Sequence, residues 1–91
     1  MKLLLSPTFK RTLKRLLKKN KELGESIGKT LKLLETDIFH PTLKTHKLKG
    51  RFEGSWACSV AYDLRIIFKF IEFENAEAIL LQTLGTHDEV Y

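Results

Sequence analysis

The stretch Leu64-Arg65-Ile66-Ile67-Phe68-Lys69-Phe70-Ile71-Glu72-Phe73-Glu74-Asn75-Ala76-Glu77-Ala78-Ile79-Leu80-Leu81-Gln82-Thr83-Leu84 decides the fold. Leu64 to Phe73 is dense in Ile and Phe, residues that suit a pleated, half-buried surface, and reads as one long strand. Glu74-Asn75 reads as a hairpin turn. Ala76 to Leu84 reads as the next strand, with Gly85 ending it.

Upstream of this hairpin, Phe52, Trp56, Cys58 and Val60 alternate with Glu53, Ser55, Ala57 and Ser59. That alternation predicts a strand beginning at Arg51, with a tight connection at Tyr62-Asp63. Thr36 to Gly50 is polar and basic and reads as loop, since His40-Pro41 disfavours helix at His40. Farther back the period is helical. Ser6 can cap, Pro7 suits the first helical position, and Phe9, Leu13, Leu16 and Leu17 form one apolar face that fades near Leu23-Gly24. A second helix is expected from about Glu25 to Thr36, with Ile27, Leu31 and Leu34 at helical spacing and Leu33 flanking. Lys2 to Leu5 can form a short strand. The order is β-α-α-β-β-β. It predicts an α+β fold, a two-helix hairpin packed on a twisted, mostly antiparallel sheet of about four strands. Phe9, Leu13, Leu31, Trp56, Ile66 and Phe68 are its expected core. At 91 residues the expectation is one domain, 1–91.

The formal charge of +5 is unevenly spread. Residues up to Arg51 hold 14 Lys and Arg against 4 Asp and Glu, and the rest hold 2 against 7. A basic first half points to a polyanionic partner such as nucleic acid, or to an acidic protein; a lysine-rich solvated helix surface is the plain alternative. One cysteine, Cys58, leaves no internal disulfide and no cysteine-based zinc cage, and reads as a buried thiol. No segment approaches a membrane span. Met1-Lys2-Leu3-Leu4-Leu5 opens like a signal peptide, but its apolar run stops at Ser6-Pro7 and no small-residue cleavage site follows, so a cytoplasmic location is expected.

The polar residues that this fold does not need fall into three groups: Lys44, His46, Lys47, Lys49 and Arg51 in the basic loop, Asp63 and Arg65 around the start of the long strand, and the tail Thr86-His87-Asp88-Glu89-Val90-Tyr91. Leu48-Lys49-Gly50 is no phosphate-binding glycine loop, and no serine-histidine-aspartate order is present. His40, His46, His87 and Asp63 would have to converge to bind a metal, and no helical ligand pair supports that, so neither metal nor cofactor is expected. RNA cleavage needs a base for the ribose 2′-OH, an acid for the departing 5′-oxygen and a cation for the phosphate. Histidine and arginine suit these tasks, and an aromatic can stack on a base.

Lys47-Leu48-Lys49-Gly50, the run Tyr62-Asp63-Leu64-Arg65-Ile66-Ile67-Phe68 and the ending Gly85-Thr86-His87-Asp88-Glu89-Val90-Tyr91 resemble the RelE/ParE superfamily of toxins from type II toxin–antitoxin systems, and most of all its YafQ branch. The resemblance runs along essentially the whole chain, and the final heptapeptide is its most specific part. It implies a ribosome-dependent, metal-independent messenger-RNA endonuclease that inhibits translation. Its partners would be the ribosome, messenger RNA and a cognate antitoxin, with no membrane and no small-molecule cofactor. It implies catalytic roles for His46, Asp63, Arg65, His87 and Tyr91, with Lys44, Lys47, Lys49 and Arg51 on the RNA. Two positions depart from the YafQ pattern: a second histidine is replaced by Ser59, and the tryptophan of an Asp-Trp pair by Leu64. Two other readings stay open on sequence: a ParE-like poison of DNA gyrase, and a catalytically degenerate nucleic-acid-binding member.

Overall fold

A computed structural model describes residues 1–61 and 63–91. The connection read at Tyr62-Asp63 therefore lies partly outside the described residues, at Tyr62. The chain runs β1 (Lys2–Leu5), α1 (Pro7–Lys19), α2 (Leu23–Thr36), β2 (His46–Lys47), β3 (Trp56–Ser59), β4 (Leu64–Phe73), β5 (Ala76–Thr86) and α3 (His87–Val90). Short 3-10 turns cover Pro41–Leu43 and Gly50–Phe52. The α+β architecture agrees with the sequence reading, with one strand more than the four expected. The five strands lie in the order β1-β5-β4-β3-β2, with β1 parallel to β5 and every other pair antiparallel.

Local chemistry explains the elements. The Ser6 hydroxyl accepts the Phe9 amide at 3.0 Å and Pro7 opens α1, satisfying helix-start donors that have no intrahelical partner. In the Glu74-Asn75 turn both residues have positive φ, 52° and 62°, the backbone whose twist matches two antiparallel strands. β4 and β5 pair from Leu64↔Thr86 to Phe73↔Ala76, with one irregularity. Ile67 faces Thr83 but Phe68 faces Leu81, so Gln82 is the extra residue of a bulge on β5. Its carbonyl accepts the Ser6 hydroxyl at 2.9 Å and its side-chain oxygen accepts the buried Ser55 hydroxyl at 2.7 Å.

Several boundaries differ from the sequence reading. α1 ends at Lys19 rather than near Leu23-Gly24. α2 begins at Leu23 rather than Glu25. The loop from Thr36 holds a two-residue strand, β2, because its backbone can pair with β3 at His46↔Ala57 and Lys47↔Trp56. Arg51 and Phe52, read as strand, form a 3-10 turn that Gly50 enters at φ 70°.

The core fills the space between the two long helices and one face of the sheet. Phe9, Ile27, Leu34, Cys58, Ile66, Phe68, Ile79 and Leu81 are buried there, with Leu13, Leu31 and Trp56 packed against them half-exposed. The opposite face carries a smaller cluster of Ala57, Ile67 and Val90, flanked by Leu48 and Phe52. Among the described residues, no helix is long and apolar enough to cross a membrane.

Candidate functional site

Strand alternation puts one set of polar residues on the face away from α1 and α2. His46 pairs with Ala57, Ser59 with Arg65, and Arg65 with Gly85. Ala57 and Ile67 point to that face, and so do His46, Ser59 and Arg65, which share their parity along the strands. Thr86 then ends β5, and α3 folds back over the same face with Val90 buried in the small cluster.

This return depends on Gly85. Sequence reading makes Gly85 the end of the strand, whereas it lies within β5, buried, opposite Arg65. A Cβ at that position would stand 3.1 Å from Val90 Cγ1 and 3.2 Å from Glu89 Cβ and Oε1, so the missing side chain is where α3 sits. The tail is correspondingly not an irregular segment but a helical turn with a full capping box. The Thr86 amide donates to Glu89 Oε1 at 2.8 Å, and the Glu89 amide donates to the Thr86 hydroxyl at 3.3 Å. Hydrogen bonding to the carboxylate from the Thr86 amide, and after it from the Thr86 hydroxyl, holds the Glu89 carboxyl below its ordinary range.

α3 brings two of the expected residues together and sets them against a third. His87 and Tyr91 stack edge to face, 4.6 Å between ring centroids. The Tyr91 hydroxyl lies 3.4 Å from His46 Nε2. His46 Nδ1 lies 2.9 Å from the Lys44 carbonyl oxygen, which can only accept, so Nδ1 carries the hydrogen and Nε2 of the neutral ring holds the free lone pair. Burial pushes the Tyr91 phenol up, and the guanidinium of Arg65 pulls it partly back. The phenol is thus a neutral donor toward His46. His87 is exposed, with Nδ1 3.7 Å from the exposed Asp88 carboxylate.

Arg65 is half-buried and donates to the Leu64 carbonyl at 3.3 Å. No carboxylate among the described residues forms an ion pair with it. A cleft beside it is lined by Thr42, Lys44, Ser59, Asp63 and Arg65. A second cleft is lined by His46, Lys49, Gly50, Arg51, Phe52 and Tyr91. The basic residues therefore divide. Lys44 serves the first cleft, and Lys49 and Arg51 the second. Lys47 points to the other face of the sheet, its ammonium 5.4 Å from the centre of the Trp56 ring. His40 stands apart from the site and caps the turn at Pro41, its Nδ1 accepting the Thr42 amide at 3.1 Å. Among the described residues, no three His, Cys, Asp or Glu gather into a group that could hold a metal. The capping pair Thr86 and Glu89 is the part of the site that sequence reading passed over. Its Thr-x-x-Glu spacing is a readable signal.

Comparison with known proteins defines the class. The fold is that of a YoeB/ParE toxin from Agrobacterium tumefaciens, at 16% identity and TM-score 0.77 over 96% of this chain and 99% of that one. It is also that of YafQ in the E. coli DinJ–YafQ toxin–antitoxin complex, at 20% identity and TM-score 0.76 over 98% and 94%. A metal-bound toxin from Helicobacter pylori is more similar in sequence, 28% identical, with TM-score 0.79 over 100% and 99%. No curated protein matches the chain by sequence. A family model for YafQ, bacterial toxin of type II toxin–antitoxin systems, matches residues 1–91, and the chain belongs to that family.

Proposed function

We propose that this toxin is a ribosome-dependent, metal-independent messenger-RNA endonuclease that stops translation. The observation that carries the reading is the His46 imidazole, its tautomer fixed by the Lys44 carbonyl, with Nε2 directed to Tyr91 on the face that also holds Arg65. In this mechanism His46 Nε2 takes the proton of the ribose 2′-OH as its oxygen attacks the adjacent phosphorus. Arg65 binds the non-bridging oxygens as charge accumulates on them. Protonated His87 gives its proton to the 5′-oxygen as the P–O5′ bond breaks. The products are a 2′,3′-cyclic phosphate and a 5′-hydroxyl. Tyr91 orients His46 and offers its ring to a base. Asp63 lines the Arg65 cleft, where it can assist as a base. Lys44, Lys49 and Arg51 line the path of the phosphates, and Lys47 reaches RNA only from the other side of the sheet.

The basic half of the chain also suits an acidic antitoxin that folds onto it, covers His87 and Arg65 and suppresses cleavage. The DinJ–YafQ complex supports a partner of this type. The test is to add the purified chain to translating ribosomes and map the ends of the message, with His87→Ala and Arg65→Ala alongside. Cuts within translated codons that bear 5′-hydroxyl ends and vanish in both variants are expected. Intact messages together with inhibited gyrase would replace this reading with DNA gyrase poisoning.

A further inference from the structure

We propose that Glu89 is a positioning residue for the cleavage reaction, acting as a clamp that holds α3, and with it His87 and Tyr91, against His46. The inference rests on the nuclease reading above.

A helix of four residues has no stability of its own, because nucleating a turn fixes several residues for a single hydrogen bond. The position of α3 must therefore come from its surroundings. Three contacts supply it. Val90 is buried against Ala57 and Ile67. Gly85 leaves room for Val90 and Glu89 to approach within 3.1–3.2 Å of where a Cβ would be. The capping box ties Glu89 back to Thr86 at 2.8 and 3.3 Å. Val90 alone is one anchor, about which the turn could still rotate. The Thr86–Glu89 pair is the second attachment, and it removes that rotation.

The two attachments bracket the chemistry. His87 lies directly after Thr86, and Tyr91 follows Val90. The edge-to-face contact of His87 with Tyr91 and the 3.4 Å approach of Tyr91 to His46 both need the turn held at its observed pitch. Glu89 itself points away from the His46 cleft. It lines a separate groove with Thr8, Thr12, Arg15 and Arg51, where Arg15 and Lys19 add a weaker attraction for its carboxylate. It is thus placed to hold the reacting groups without touching RNA at the scissile bond.

The experiment compares wild type, Glu89→Ala, Glu89→Gln, Gly85→Ala and His87→Ala on saturating translating ribosomes, with melting curves for each. Glu89→Ala should lower kcat by about 10- to 100-fold, the scale of a misplacement near 1 Å, with KM nearly unchanged. Glu89→Gln should recover most of the loss, since an amide oxygen still accepts the Thr86 amide. Gly85→Ala should behave like Glu89→Ala, because its methyl displaces the turn. Wild-type kcat in Glu89→Ala, or no recovery in Glu89→Gln, overturns the clamp while the loss in His87→Ala upholds the nuclease. If His87→Ala cleaves normally, the nuclease reading fails, and NMR of the ribosome-free proteins decides the clamp. Loss of the Tyr91–His46 contact in Glu89→Ala then supports it, and an unchanged contact overturns it.

Discussion

The Tyr91 hydroxyl approaches His46 Nε2 to 3.4 Å across a sequence separation of 45. The contact closes a circuit through the sheet: His46 on β2, Ala57 on β3, Ile67 on β4, and back through β5 and α3 to Tyr91. A two-residue edge strand would be a poor support for a reacting group by itself. Here the ring is gripped from both sides, by a backbone carbonyl on Nδ1 and a phenol on Nε2. Such a grip holds the tautomer and leaves the lone pair exchangeable, since the phenol can yield its place to another hydroxyl, as the proposed mechanism requires.

His87→Ala should lower cleavage of translated messages by about 10²–10⁴-fold, the usual cost of removing a positioned acid. The side chain is largely exposed, so the melting temperature should hardly move. Primer extension on a reporter message, paired with a thermal melt, checks both halves. A fully toxic His87→Ala would remove the residue from the mechanism.

Ser59 stands directly across the strand pair from Arg65, in the same cleft as Asp63. In the proposed mechanism, an imidazole introduced there would stand beside the phosphate assigned to Arg65. Ser59→His should therefore raise ribosome-dependent cleavage, by about tenfold or more if general acid–base assistance is what the site lacks. Initial rates at equal ribosome concentration decide it. An unchanged rate would mean that His46 and His87 already suffice.

Burial pushes the Cys58 thiol up to about 12 from 9.0, with Arg65 pulling the other way. The unfolded chain then loses this proton near pH 9 while the folded chain keeps it to about 12. The folded state binds more protons in that window, so stability contributed by Cys58 is complete below pH 9 and falls as the pH rises. The slope approaches 1.4 kcal/mol per pH unit, order of magnitude. Urea unfolding at pH 8 and pH 10.5 should show the wild type losing more stability than Cys58→Ala. Parallel losses would contradict it.

Phe68 is fully buried, between the helices and the sheet, in edge contact with Phe70. Phe68→Ala should cost about 3–5 kcal/mol, a large share of the stability of a domain this size. Denaturant titration measures the loss. A cost below about 1 kcal/mol would mean that the core closes over the gap.

The long strand and its turn were legible because ten successive residues from Leu64 carry one message and Glu74-Asn75 tolerates positive φ. The helices were legible from Ser6-Pro7 and the spacing of Phe9, Leu13, Leu16 and Leu17. β2 was not, since two polar residues have no periodicity and pair only because β3 lies beside them. Gly85 misled for a related reason: local rules make glycine a terminator, while here a tertiary neighbour, Val90, demands it. Of the candidate site, sequence could supply His46, Asp63, Arg65, His87 and Tyr91 as residue types. That Lys47 turns to Trp56 while His46 turns to Tyr91 follows from strand alternation on an element that sequence did not reveal.

Among the described residues, β1, the first of the five strands in chain order, pairs in the sheet with β5, the fifth. Until residues 76–86 appear, β1 has no partner and the helices that follow it have no completed sheet to cover. Long-range closure of this kind comes late in folding. A message broken or stalled before that point yields a fragment without the strand that joins the two sides of the sheet, and without the turn that carries His87. The face that carries His46, Arg65 and α3 comes into being as a whole, when β5 joins the sheet.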